Sequence, residues 1–142
     1  VATGSLFAGM EELLIVDGHS AIFGIQDLRE MHQGPKRHMA RMELTRRLRD
    51  LGDMSGWKVV LVFDGRQQER GYEGGNQEGI LVIYSRARET ADAVVERLAA
   101  RFSEKGDRVR VASNDNMVML TSTTFGAEGI SIDELEAWMD AP

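Results

Sequence analysis

Four aspartates stand at or near the ends of apolar runs, where carboxylate chemistry is easiest to assemble. Asp17 follows Leu13-Leu14-Ile15-Val16, and Asp64 follows Val59-Val60-Leu61-Val62-Phe63. Asp115 comes after the run Val109 to Ala112 and the pair Ser113-Asn114. Asp92 falls in the first turn of a helical pattern that follows Ile80-Leu81-Val82-Ile83-Tyr84. If the runs are parallel strands, their carboxyl ends share one sheet edge, where open α/β sheets bind ligands. Carboxylates gathered there repel one another, and a hard divalent cation, Mg²⁺ or Mn²⁺, relieves the repulsion by taking oxygen ligands. Such a cation activates water and stabilises charge on a phosphodiester under attack. Asp17, Asp92 and Asp115 are read as the metal ligands, and Asp64 as the carboxylate that orients or deprotonates water. Each aspartate also has a plainer role. Asp17 and Asp64 precede glycine, as turn residues do. Asp92 suits a helix dipole, and Asp115 can cap a short helix.

Residues around this set fill in the picture. Glu96 lies four positions after Asp92, on the same helix face. With Ser20 and Ser113 it is a candidate to support the carboxylates from outside. His19, two residues beyond Asp17, is expected in the wall of the pocket. His19, His32 and His38 lack metal-ligand spacing, and no P-loop, nucleophile elbow or dinucleotide fingerprint is present. Glu89, just before Thr90, is expected to be solvated. Lys36, Arg37, Arg41, Arg66 and Arg70 are candidates to hold an RNA backbone, and Tyr72 could stack on an unpaired base.

The elements that must position these residues read as strand, helix, strand, strand, helix, strand, helix, a short strand near Thr123-Thr124, and a last helix. The apolar runs suit strands buried on both faces. The run Val109 to Ala112, flanked by Arg108 and Arg110, is expected to be less buried and nearer a sheet edge. Between Pro35 and Leu51, Ala40, Leu44, Leu48 and Leu51 fall on one helix face, with Gly52 as the stop. From Thr90 to Phe102, Ala91, Val94, Val95, Leu98 and Phe102 share a face, with Thr90 as cap. Asp115 to Leu120 suits a short helix, and Ser131 caps a helix through Leu135 to Trp138. The alternation predicts an α/β fold with a mostly parallel central sheet flanked by helices. The stretch Gly65 to Gly79 reads as one long glycine-rich loop.

Composition limits the function classes. There are 142 residues and no cysteine, which suits one domain and removes disulfides, thiolate metal sites and a cysteine nucleophile. It also fits the cytoplasm. No apolar run is long enough for a membrane span. The formal charge of −6 argues against a general nucleic-acid coat. Lys36 to Arg49, however, holds six basic residues and one acidic, a +5 segment on a body of −11. A basic patch of that kind can engage phosphate locally. Residues 1–9 read as a leader or the remnant of an added sequence, and 10–142 as the domain.

The ordered segments LLIVDGHS, VVLVFDG, ILVIYSRARETADAVVERL, RVRVASND and FGAEGISIDELE resemble the YacP-like branch of the NYN domain family, from about Leu13 to Trp138. The resemblance implies a PIN-like three-layer sandwich and acidic positions at Asp17, Asp64, Asp92 and Asp115 that bind Mg²⁺ or Mn²⁺. It also implies metal-dependent endoribonuclease activity without a covalent intermediate. Bacterial members include a ribosome-associated enzyme that cuts messenger RNA, so RNA and the ribosome are the implied partners. Two departures bear on substrate choice. Asp17-Gly18-His19-Ser20 replaces the family's Asp-Gly-Tyr-Asn, and Ser113-Asn114-Asp115 replaces its Thr-Ser-Asp. The alternative is a PIN-like module that docks on RNA or the ribosome without cutting.

Overall fold

The apolar runs do form a sheet. The computed structural model describes residues 11–74 and 80–140. The expectations for residues 1–9, for Met10 and for the end of the Gly65 to Gly79 stretch fall wholly or partly outside them. The strands are β1 (Glu12–Asp17), β2 (Lys58–Phe63), β3 (Gly71–Gly74), β4 (Ile80–Tyr84), β5 (Arg108–Ala112) and β6 (Glu128–Ile130). They lie in the order β3-β4-β2-β1-β5-β6. All pairings are parallel except β3 with β4.

Strand periodicity explains why the runs are apolar throughout. Leu14 and Val16 point into one core and Ile15 into the other. The first core is covered by α1 (Gly18–Gly24), α2 (Gln26–Gln33), α3 (Arg37–Ser55) and α6 (Ile132–Asp140), which supply Ile22, Leu28, Leu44, Leu48 and Leu135. The second is covered by α4 (Ala91–Glu104) and α5 (Asn116–Thr124), through Val94, Val95, Ala99 and Val118. The chain is thus a three-layer α/β sandwich. Among the described residues no helix is long and apolar enough to cross a membrane.

Several local expectations are corrected. Gly52 is buried inside α3, which ends instead at Gly56, whose φ of 77° suits a left-handed cap. Pro35 precedes the helix, whose first residue is Arg37. The supposed loop contains β3, an antiparallel edge strand pinned by Gly71↔Tyr84 pairing. Thr123 and Thr124 close α5, and the short strand comes later, at Glu128–Ile130. β5 is one strand in from the edge and well buried. Arg110 is only 8% exposed, its guanidinium 4.4 Å over the Trp57 ring and its charge near Glu12 and Glu128. Helices α1 and α2 were not anticipated. Ala21, Ile25 and Leu28, at spacings of four and three, carry their signal, but Gly18, Gly24 and Gly34 interrupt it.

Candidate active site at the carboxyl edge of the sheet

The register of β1, β2 and β5 brings Asp17, Asp64 and Ser113 to one edge of the sheet. Asp17 is 2% exposed and caps α1. Its Oδ1 accepts from the Ser20 backbone N–H at 3.4 Å, and its Oδ2 from the Ser20 and Ser113 hydroxyls at 2.8 and 3.1 Å. The two hydroxyls in turn accept from the backbone: Ser20 Oγ from Asn114 N at 3.1 Å, Ser113 Oγ from Asp115 N at 3.0 Å. A buried carboxylate is tolerated because its lone pairs are met this way. Ser20 ties the first strand's carboxylate to the chain after β5.

The other carboxylates also cap helices. Asp115 Oδ1 accepts from Met117 N and Val118 N at 2.9 and 3.1 Å, capping α5. Asp64 Oδ1 accepts from Ala91 N at 2.8 Å, while Thr90 Oγ1 accepts from Ala93 N at 3.0 Å, so both serve the start of α4. The helix cap expected of Asp115 is therefore real, and Asp17 also caps a helix instead of making the turn expected of Asp-Gly. The second oxygens of Asp64 and Asp115 accept no hydrogen bond among the described residues. Asp92, in the first turn of α4, faces the others. Burial pushes its carboxyl above the usual value, and the charges of Asp17, Asp115, Asp64 and Glu96 push it further.

Asp17, His19, Ser20, Asp64, Thr90, Ala91, Asp92 and Asp115 line one cleft of about 220 Å³. All four aspartates meet there, with His19 in the wall. Ser113 supports Asp17 from behind, and Glu96 acts on Asp92 by charge without lining the cleft. A larger cavity of about 680 Å³ lies elsewhere, between α2, α3 and α6. Its two arginines are already paired, Arg47 to Asp27 and Glu43, and Arg46 to Glu43 and Asp50.

The donor set is all oxygen, the chemistry that Mg²⁺ and Mn²⁺ prefer. Among the described residues, no group of three or more carboxylates or imidazoles is arranged as it stands to hold a metal ion. Mg²⁺ does not require a closed protein cage. It keeps several waters and takes one or two carboxylates, so an open acidic cleft with unfilled oxygens fits it.

The basic candidates separate. Arg41 is exposed on α3, its guanidinium 4.7 Å from the Phe63 ring centroid and 5.8 Å from that of Tyr84, beside the cleft. Arg37 donates to the His32 carbonyl at 3.1 Å. Lys36 is exposed at the start of α3, and Arg66 is exposed after β2. Arg70 is bound to Glu89, and here the expectation for Glu89 fails. Its side chain is 8% exposed, held by Arg70 and, at 3.2 Å, by Arg97. Its second oxygen accepts from the Arg86 backbone N–H at 3.2 Å. The Arg70 hydrogen bond above all holds its carboxyl down to about 2. Glu89 is thus the clamp that fastens the segment after Asp64 to the approach to Asp92. Its position next to a capping threonine gave no sign of that, because the arginine that binds it is 19 positions away.

The YacP-like NYN domain model matches residues 14–141. The chain belongs to that family. NYN domains are generally nuclease-like and act on RNA. This NYN domain is 25% identical over 104 residues to the "Uncharacterized protein YacP" of Bacillus subtilis (strain 168), covering 73% of this chain. It spans 61% of that relative's length. Among solved structures it is similar to Rae1 (YacP) from Bacillus subtilis, with a TM-score of 0.76 to the W164L mutant. That match has 24% identity and covers 91% of this chain and 75% of the other. The crystal structure titled without a mutation gives a TM-score of 0.74, again at 24% identity, over 90% and 73% of the two chains. These structural matches support the fold.

Proposed function

We propose that this NYN domain is an endoribonuclease that hydrolyses RNA phosphodiester bonds with Mg²⁺ or Mn²⁺. One observation carries the reading: four aspartates from four separate strand units line a single cleft, and Asp92 is disfavoured as an anion by burial and then by the charges of the other three and Glu96. Asp17, Asp92 and Asp115 would hold the cation, which when bound supplies an acidified water and neutralises charge at the phosphate. Asp64 is exposed and keeps one oxygen unfilled, so it can take a proton from an attacking water. Ser20 and Ser113 hold the Asp17 carboxylate in place. Arg41 lines the cavity beside the cleft and Arg66 follows Asp64 by two residues, and with Lys36 they would hold the phosphates on either side of the cut. Arg70 would act indirectly, through Glu89. Messenger RNA on the ribosome is the setting we propose for the reaction, inside the cytoplasm.

The test is incubation of defined single-stranded RNAs with Mn²⁺ or with chelator, read by product length. Internal cuts with Mn²⁺, absent with chelator and in Asp92→Asn, support the reading. Intact RNA in both conditions ends it. A second reading, an RNA- or ribosome-docking module without catalysis, draws on Asp17, whose oxygens are already engaged by two serines. In that case RNA binds in chelator, weakens steeply with salt, and is never cut. Adding ribosomes to both assays tests the proposed setting.

A further inference from the structure

A second cavity, about 140 Å³, opens beside the acidic cleft and shares His19 and Asp64 with it. Its remaining walls are Ile22, Phe23, His32, Arg41 and Phe63. The nuclease chemistry above draws on Asp64 and Arg41 from its rim but not on the cavity itself, whose lining differs in kind from the cleft. Three aromatic or imidazole rings pack in series along one side: His19 tilted against Phe23 at 4.5 Å, and Phe23 edge-on to His32 at 4.9 Å. Opposite them, the Arg41 guanidinium lies over a platform formed by Phe63 and Tyr84, whose rings stack at 5.8 Å and 25°. Arg41 has no carboxylate partner among the described residues. His32 Nδ1 is buried and has no hydrogen-bond partner among the described residues. A buried polar atom left unpaired costs stability unless a ligand completes it.

We propose that this cavity is a nucleobase subsite, which takes one unpaired base of the RNA while the adjoining phosphate lies in the acidic cleft. The inference rests on the nuclease reading for the placement of the phosphate, and on the cavity itself for the base. A phosphate does not suit the cavity, whose lining is mostly ring faces and aliphatic surface. A flat π-system does, since bases splayed out of single strands stack on aromatic rings and on arginine planes. Burial, followed by the charges of Arg37, Arg41 and His19, holds the His32 imidazole below its ordinary value, so it is neutral near pH 7. A neutral imidazole can donate or accept at a base edge, whereas an imidazolium could only donate. A paired base in a duplex has neither a free face nor a free Watson–Crick edge, so the subsite selects single-stranded RNA.

The experiment uses the full chain carrying Asp92→Asn, in chelator, so that neither metal nor cleavage enters. Two fluorescent octamers are compared by anisotropy, one of adenosines and one abasic at every position, with the same phosphates. The expected result is about tenfold tighter binding of the adenosine octamer. Adding Arg41→Lys, which keeps the charge but loses the plane, should shrink that gap to about threefold or less, read as the ratio of the two affinities so that any change in phosphate binding common to both octamers cancels. His32→Leu should shrink it as well, and thermal melts verify that both variants are folded. No gap, or a gap that persists in both folded variants, overturns the subsite. The nuclease reading fails separately, if the native chain with Mn²⁺ leaves RNA whole.

Discussion

The Asp17 carboxylate and the Ser113 hydroxyl, 96 positions apart, lie 3.1 Å from each other and join the carboxyl ends of β1 and β5. Asp17 therefore holds the sheet edge together besides facing the cleft. Asp17→Ala removes the α1 cap and strands two buried hydroxyls, and should cost about 2 kcal/mol in urea denaturation. Loss of cutting by that variant would mix folding with chemistry. Asp92 accepts no hydrogen bond among the described residues, so Asp92→Asn should leave stability intact or raise it while abolishing cleavage. Equal destabilisation by the two substitutions would contradict this division.

The repulsion at Asp92 gives a pH signature. Its carboxyl titrates above the usual value of 3.8 in the folded chain. The native state then binds more protons than the unfolded one in that window, and this group's contribution to stability falls as pH rises through it. Glu43 and Glu89, held down to about 2, act in the opposite direction, adding stability that is lost as pH falls below about 4.5 towards 2. The difference between native and Asp92→Asn melting temperatures isolates the first effect. In chelator, Asp92→Asn should gain relative stability as pH rises from about 4 to 7. A pH-independent difference would mean that the carboxylates do not interact.

The parts of the fold that could be read from the chain were those coded locally. Continuous runs such as Val59 to Phe63 mark strands buried on both sides, and Thr90 before an amphipathic stretch marks a helix start. The aspartates were legible because each sits at a fixed offset from such a run. The relations that escaped are all non-local. Glu89 is an exposed-looking residue until Arg70 closes on it, and Arg110 passes for an edge residue until Trp57 lies under its guanidinium. β3 is short, polar and glycine-bounded, and exists because β4 offers it a partner. The cavity beside the cleft is harder still to anticipate, since its rings come from α1, α2 and β2.

Metal binding should be visible as stabilisation. A cation that binds only the folded cleft raises stability by about 2.7 kcal/mol at a hundred times its dissociation constant. The melting temperature of the native chain should rise with Mn²⁺, and that of Asp92→Asn should not. The increase should be larger at pH 7 than at pH 4, where protons compete for the carboxylates. Equal shifts in the two proteins would place the bound metal elsewhere.

The Glu89 clamp can be tested apart from the cleft. Glu89→Gln keeps the shape but removes the charge that Arg70 and Arg97 share, and should cost about 1–2 kcal/mol near pH 7. As pH falls towards 2 the native carboxyl itself becomes protonated, and the two proteins should converge. Cleavage should weaken without being lost, because the segment after Asp64 is loosened rather than removed. A Glu89→Gln protein as stable as the native one at pH 7 would mean that the arginines simply find water instead.

Gly65 sets where Asp64 points. Its backbone N–H donates to Ser85 Oγ at 3.2 Å, and a Cβ placed on it would overlap the Ser85 carbonyl oxygen. That oxygen belongs to the backbone immediately after β4, where Ser85 N donates to Phe63 O at 2.9 Å, so it cannot yield as a side-chain tip would. Gly65→Ala should therefore separate the ends of β2 and β4, at a cost of about 1–3 kcal/mol, and swing Asp64 away from Ala91 N. Gly56→Ala serves as the comparison. Gly56 has a φ of 77° with nothing within 4 Å of the added carbon, so it should cost about 1 kcal/mol through backbone strain alone. Both variants lose stability, but only Gly65→Ala should lose cleavage at temperatures where each is fully folded. Full cleavage by a folded Gly65→Ala would show that Asp64 needs no fixed position.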